Sequence, residues 1–124
     1  MASPLWAEPS SMEFRRVIQM NLQPMPRPRV NRRGGVGFPA RYRAHLSRLR
    51  EHLTGLAPAG AVALTVTIAK KREPTGRAFG DIDNLLKTLL EALPFDDAKV
   101  VEIHAVKRYS VVPYITLTIT EVRV

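Results

Sequence analysis

The amino-acid sequence predicts a small α/β domain of the α+β type, with one mixed sheet and two helices. Its 124 residues are 45% hydrophobic, enough for one domain with a modest core. Segments with alternating apolar residues are interspersed with two segments of helical spacing, in the order β-α-β-α-β-β. The β-α-β portions favour crossover connections, and the last two strands are predicted to form an antiparallel hairpin around 108–110.

The first third of the chain predicts a tail, a strand and a basic loop. Residues 1–12 contain two prolines and three serines and predict a flexible tail, which leaves 13–124 as the domain. Phe14–Met20 predicts the first strand. Gln23–Phe38 holds three prolines and three glycines, which favours an extended loop over a helix. Its arginines suit a phosphate backbone; a disordered basic linker is the alternative.

A helix is predicted to begin at Pro39, since proline is tolerated in the first turn, and to end near Gly55 and Pro58. One face of this helix is apolar: Tyr42, Leu46, Leu49 and Leu53. The two histidines, His45 and His52, lie seven apart, which is no metal-ligand spacing. We therefore expect packing or surface roles for them.

The second half predicts three further strands around one more helix. Residues 61–69 alternate between apolar and small or polar side chains, which is typical of a strand with one buried face. A polar loop, 70–80, leads to a helix at 83–93. Its apolar face consists of Leu85, Leu86, Leu89, Leu90 and Leu93. The last strands are predicted at 99–107 and 111–122.

Charge is distributed unevenly along the chain. The formal net charge is +8, and ten arginines lie between Glu13 and Glu51 with no intervening acid. Six of the 11 acidic residues fall between Asp81 and Glu102. A basic half beside an acidic cluster suits a nuclease, which holds phosphate with cations and a divalent metal with carboxylates. The alternative is a basic protein that is merely soluble or that binds RNA non-specifically.

Two further features limit the class of protein. The absence of cysteine excludes disulfides and thiolate metal sites. The longest apolar run, 61–69, is far shorter than the roughly 20 residues that span a bilayer, and no secretory signal is recognisable. The expected location is the cytoplasm.

The acidic cluster predicts a metal site. Asp81 and Asp83 are two residues apart, so in an extended segment both carboxylates project to one side. Asp96 and Asp97 follow the same helix, and only the fold could bring them to the first pair. Carboxylates without cysteine or suitably spaced histidine favour Mg²⁺, with Mn²⁺ as a substitute. Lys87, on the polar face of the helix, is a candidate either to contact the scissile phosphate or to help orient or activate the water.

Each of these residues also has an ordinary structural interpretation. Asp83 suits a helix N-cap, and it could pair with Lys87 one turn later. Asp96 and Asp97 could form a solvated turn.

The string DIDNLLKTLLEAL, followed by DDAKV and VKRY, resembles the RusA family of Holliday junction resolvases. The family pattern is Asp-x-Asp-Asn-Leu-x-Lys at the start of a helix, then an Asp-Asp-x-x-Val turn. The matching positions are Asp81, Asp83, Asn84, Leu85, Lys87, Asp96, Asp97 and Val100. The early PRPRVNRRG segment is similar to a basic loop common in relatives.

The resemblance implies a homodimer that nicks four-way DNA junctions in pairs with Mg²⁺, in recombination and repair. It implies catalytic roles for Asp81, Asp83, Asp97 and Lys87. The three aspartates of one subunit are expected to hold one or two Mg²⁺ ions. Asp96 and Asn84 are then supporting neighbours. DNA contacts are assigned to Arg27, Arg29, Arg32, Arg33, Arg41, Lys70 and Lys71. The alternatives are a non-catalytic DNA- or RNA-binding module and a basic assembly protein of a mobile element.

Overall fold

A four-stranded sheet with two helices forms the described part of the chain. The computed structural model describes residues 13–27, 29–30 and 36–122, so the predicted tail at 1–12 lies outside the described residues. The sheet consists of β1 (Glu13–Ile18), β4 (Val62–Lys70), β5 (Val100–Tyr109) and β6 (Tyr114–Glu121). The helices are α1 (Ala40–His52) and α2 (Ile82–Ala92). The strand and helix order predicted from the sequence is confirmed.

One short pair of strands interrupts the segment that was predicted to be a loop. Here β2 (Arg29–Val30) pairs antiparallel with β3 (Val36–Gly37). Pro39 is the N-cap of α1, one residue before the helix begins. A single 3-10 turn, Asp97–Lys99, precedes β5.

The sheet is mixed, as predicted, with the strand order β1-β6-β4-β5. Strand β4 runs parallel to β5 and antiparallel to β6, while β1 pairs antiparallel with β6. The predicted hairpin between the last two strands is therefore wrong, because β4 lies between them. The most deeply buried strand, β4, takes the central position, whereas β5 keeps most of its side chains exposed at the edge.

The core lies between the two helices and one face of the sheet. The alternation in β4 buries all four of its large apolar side chains, and β6 does the same with Ile115, Leu117 and Ile119. Each helix contributes its predicted apolar face to the same cluster. Threonines on the other face of β4 and β6 remain exposed or half-buried. Burial of apolar surface at this single interface is what holds the elements together.

Polar contacts in the core connect both helices to the start of the basic loop. The Tyr42 hydroxyl donates to Thr88 Oγ1 (3.1 Å), and the Thr88 hydroxyl donates to the Gln23 carbonyl (2.7 Å). The Gln23 amide donates to Nε2 of His45 (3.1 Å), whose pKa is lowered mainly by burial. His45 thus has a packing role. These bonds attach the start of the basic loop to α1 and α2.

Among the described residues, no helix is both long enough and apolar enough to cross a bilayer.

Replacement of Thr88 by valine should destabilise the protein by about 1–3 kcal/mol, since it leaves buried polar groups of Gln23 and Tyr42 without a partner. Urea unfolding measures the loss. Thr88→Ser keeps the hydroxyl and serves as the matched control. Equal unfolding midpoints for the two variants would contradict this role for the Thr88 hydroxyl.

Candidate active site at the start of the second helix

Two aspartates lie where the chain enters α2. Asp81 occupies the N-cap position with extended backbone angles, and Asp83 lies in the first turn. The interpretation of Asp83 as the N-cap is therefore wrong. Asp81, which holds that position, makes no side-chain capping hydrogen bond. Both side chains are exposed. The positive end of the helix dipole stabilises negative charge here, and their exposure makes both carboxylates accessible to an external ligand.

Lys87 has no ion-pair partner among the described residues. The ion pairs found among the described residues join Arg15 to Glu13 and Arg50 to Glu91, so Asp83 and Lys87 do not form the suggested pair. Lys87 is exposed one helical turn after Asp83. Asn84 is half-buried, and its carbonyl accepts a hydrogen bond from the Met25 amide (3.0 Å). Among the described residues, neither the Lys87 ammonium group nor the carboxylates of Asp81 and Asp83 has an ion-pair partner.

Two lysines hold the main chain immediately before Asp81. Lys70 Nζ donates to the Phe79 carbonyl (2.7 Å), and Lys107 Nζ donates to the Gly80 carbonyl (2.9 Å). Their ammonium groups lie 5.3 and 5.0 Å from the centroid of the buried Phe79 ring, within cation–π range. We call Lys70, Lys107, Phe79 and Gly80 the lysine clamp.

The clamp corrects one prediction and adds one residue. Lys70 was assigned to DNA, but it is only 4% exposed and its ammonium bonds to Phe79, so it is not available to DNA. Lys107 was not predicted as a functional residue. Its position in the alternation of β5 could have indicated it. Lys107 pairs with Ile68, so it lies on the same sheet face as Ile103 and Ala105.

Gly80 is required by its backbone angle. Its φ is +99°, in the region that side-chain-bearing residues rarely adopt. A Cβ there would also lie 3.4 Å from Pro24 Cγ and 3.5 Å from Leu85 Cδ2. The turn into α2 therefore packs directly on the beginning of the basic loop.

The second acidic pair lies at the other end of the domain. Asp96 and Asp97 are both exposed, and Asp96 Oδ1 accepts a hydrogen bond from the Ala98 amide (3.0 Å). This hydrogen bond is the observation that distinguishes the two carboxylates. Nearby, Lys99 Nζ donates to the Pro58 carbonyl (2.9 Å), so this turn lies near the amino end of β4.

The structure does not bring Asp81, Asp83 and Asp97 of one subunit together, contrary to the expectation, because the two acidic segments lie at opposite ends of α2. Asp81 lies beside the carboxyl ends of β4 and β5, where the lysine clamp holds it, and the 11 residues of α2 lead away over about 16 Å. Asp97 precedes the amino end of β5. In the described parts of the chain, no group of three or more His, Cys, Asp or Glu side chains is arranged to hold a metal ion.

The donors at α2 nevertheless fit a hard cation. Asp81 and Asp83 offer two exposed carboxylates two residues apart, without competing thiols. Such oxygen donors suit Mg²⁺ or Mn²⁺, which retain several waters when few protein ligands are present.

The predicted DNA-binding residues fall into three groups. Arg27, Arg41 and Lys71 are exposed. The backbone of Arg29 lies in β2, while Arg32 and Arg33 lie outside the described residues. Through the Met25–Asn84 hydrogen bond, the loop that contains Arg27 starts beside the first turn of α2.

Comparison with known proteins identifies a family. The family model described as "Endodeoxyribonuclease RusA" matches residues 20–120. No curated protein matches the chain. Among solved structures, CetZ from Methanosaeta thermophila strain DSM 6194 is similar at 10% identity and a TM-score of 0.29, covering 53% of this chain and 16% of that one. A likeness of this size carries no argument about function.

The lysine clamp predicts a pH dependence of stability. Burial, and then the charge of Lys107, lowers the pKa of Lys70 from 10.5 to about 8. Between these two pH values the unfolded chain binds more protons at this group than the folded chain. The Lys70 contribution to the free energy of unfolding therefore rises with pH across that window, by at most about 1.4 kcal/mol per pH unit, and is lost as the pH falls through 8.

Urea unfolding of the wild type and Lys70→Met from pH 7.5 to 10 measures this contribution. The stability of the wild type minus that of the variant should increase with pH, since other titrating groups cancel. A difference independent of pH would show that the pKa of Lys70 is not lowered.

Proposed function

Because the chain belongs to the RusA family of endodeoxyribonucleases, we propose that it is a Mg²⁺-dependent, structure-selective endonuclease. Cleavage of DNA at Holliday junctions is the general role of the family. The specific proposal is paired, symmetric nicking of four-way junctions in recombination and repair. The observation that carries it is the pair of exposed carboxylates at the clamped start of α2, with exposed Lys87 one turn away; none of the three has an ion-pair partner among the described residues.

Asp81 and Asp83 would hold the metal. When bound, Mg²⁺ supplies a polarised water and offsets charge on the phosphate and the leaving oxygen. Lys87 would contact the scissile phosphate and stabilise the negative charge that develops on it. Asn84, half-buried between these residues, would help to fix the first turn of α2. Asp96 would hold the turn in which Asp97 lies.

We propose that Asp97 acts on the metal of a second subunit. Parallel pairing of β4 with β5 separates Asp97 from Asp81 and Asp83 along the full length of α2, which argues against a site built from one chain. A two-fold dimer presents each residue to its symmetry mate, so Asp97 of the partner subunit can supply the third carboxylate. Such a dimer contains two equivalent sites, which suits two symmetric nicks.

The free edge of β5 is the proposed dimer interface. Within the described residues, β5 pairs with β4 alone, and an open edge is a template for another strand. Antiparallel pairing of two copies about Ala105 would set Glu102 opposite Arg108 of the partner subunit, with opposite charges. It would also set exposed Val101 (54%) opposite exposed Tyr109 (52%). This register carries the amino end of β5, and with it Asp97, toward the partner's lysine clamp.

DNA would be held by the basic residues around the α2 entrance. Arg27 and Arg41 are exposed, the loop that contains Arg27 starts beside the first turn of α2, and Lys71 directly follows β4. Contacts of this kind reach phosphates more than base edges, so selectivity would come from the shape of the junction. A DNA substrate is compatible with the expected cytoplasmic location.

Cleavage of a four-way junction tests the catalytic role. Purified protein with Mg²⁺ should place paired nicks in a labelled mobile four-way junction and leave the matching linear duplex intact. Asp81→Asn should lower the cleavage rate more than the roughly 100-fold typical of losing an outer-shell partner, because it removes a ligand itself. Gel electrophoresis of the cleaved strands measures both.

Glu91→Gln is the matched control, since it neutralises another exposed acid of the same helix without touching the proposed site. Junction binding in EDTA should persist in all three proteins and weaken steeply with salt. Binding without cleavage, in Mg²⁺ and in Mn²⁺ on several junction sequences, would favour the non-catalytic binding module instead.

Mixing two inactive variants tests whether each site is shared between two subunits. Asp81→Asn and Asp97→Asn should each be inactive, yet mixing the two under dimer exchange should restore cleavage. A mixed dimer then contains one site with all its carboxylates, so roughly a quarter of the wild-type sites are active after random pairing. Single nicks should predominate. If each site were built within one chain, every mixed dimer would be inactive and mixing would restore nothing.

A further inference from the structure

We propose that Lys70 and Lys107 are positioning residues that hold the Asp81 carboxylate in place for metal binding, acting through the main chain of Phe79 and Gly80. The metal itself rests on the proposed function. The fixed position of the main chain does not rest on the proposed function, because the hydrogen bonds of Lys70 and Lys107 are present without metal.

The ammonium group of Lys70 is buried, and it donates a hydrogen bond to the carbonyl of Phe79. It is the last residue of β4, is 4% exposed, and has no carboxylate partner among the ion pairs of the described residues. Burial of an ammonium group is unfavourable unless the group is hydrogen-bonded. The Phe79 carbonyl at 2.7 Å and the face of the Phe79 ring supply the compensation. The charge is therefore tied to one position of that carbonyl.

Lys107 repeats the arrangement one residue further along. It belongs to β5, pairs with Ile68, and thus shares a sheet face with Lys70. Its ammonium donates to the next carbonyl, that of Gly80, at 2.9 Å. Two neighbouring parallel strands therefore hold two consecutive carbonyls, and the peptide group that joins Gly80 to Asp81 is fixed by the second.

The clamp acts at the point where the chain would otherwise be free. Asp83 is positioned by the helix, whereas Asp81 has extended backbone angles and follows a glycine with φ +99°. Glycine permits more backbone conformations than any other residue. Without the two lysines, the direction of Asp81 relative to Asp83 would vary, and metal ligands tolerate displacements of only about 0.5 Å.

The test is Lys107→Met, with Lys70→Met as a second variant and Lys107→Arg as the conservative one. Mn²⁺ alone is the probe, titrated by calorimetry into the full-length protein. We expect Lys107→Met to weaken Mn²⁺ binding by about 10–100-fold, as for loss of other outer-shell partners, and Lys107→Arg to recover part of it. Hydrogen exchange of the peptide covering 79–84 should accelerate in Lys107→Met, while junction binding in EDTA stays unchanged.

Ile119→Val is the control for stability, because it removes a buried methyl group near the amino end of β4, at the opposite end of that strand from Lys70. It should lower the unfolding midpoint without changing the affinity for Mn²⁺. Equal loss of affinity in Ile119→Val and Lys107→Met would overturn the positioning role, and so would wild-type exchange at 79–84 in Lys107→Met. A wild-type protein that fails to bind Mn²⁺ would instead overturn the proposed metal site, while the exchange rates would still report on the clamp.

Discussion

The parallel pairing of β4 with β5 is the constraint on which the arrangement of this domain depends. Parallel neighbours cannot be joined by a tight turn, so the chain must cross the sheet, and α2 makes that crossing. The crossing sets the direction of α2 opposite to both strands. It places the start of α2 at the carboxyl ends of β4 and β5, and the Asp96–Asp97 turn at the amino end of β5.

The same pairing assembles the surroundings of Asp81. Because Lys70 and Lys107 come from adjacent strands and point to the helix-covered face, their ammonium groups converge on the segment that enters α2. Two cations near one aromatic ring would repel each other, but each is compensated by a carbonyl oxygen and by the ring. The rigidity of the sheet is thus transmitted to a residue that lies outside it.

Separation of the acidic segments links the fold to the state of assembly. A single chain presents Asp81 and Asp83 at one end of α2 and Asp97 beyond the other. A site that needs all three carboxylates then favours a second subunit, and the exposed β5 edge offers that subunit a place to pair. The proposed dimer and the proposed metal site would therefore both follow from one crossover connection.

Local features were predictable from the sequence. The alternation in β4 and β6, the apolar faces of α1 and α2, and the Asp-x-Asp-Asn pattern at the start of a helix depend on neighbouring residues, and the structure agrees with them. The family could be recognised for the same reason, since its pattern lies within 20 residues. What neighbouring residues could not determine was which strands pair: a short turn after Lys107 suggested a hairpin, yet β4 separates β5 from β6.

By itself, the sequence determined the two helices, the four main strands and the mixed character of the sheet, and it supplied the candidate ligands for a metal and for phosphate. Only the tertiary structure decided that Lys70 is buried rather than exposed to DNA, that Lys107 meets the same loop, and that Asp97 is remote from Asp81. The physical reason is that burial and side-chain convergence depend on contacts between residues distant in the chain. Periodicity shows which face of an element is apolar, but not which element covers it.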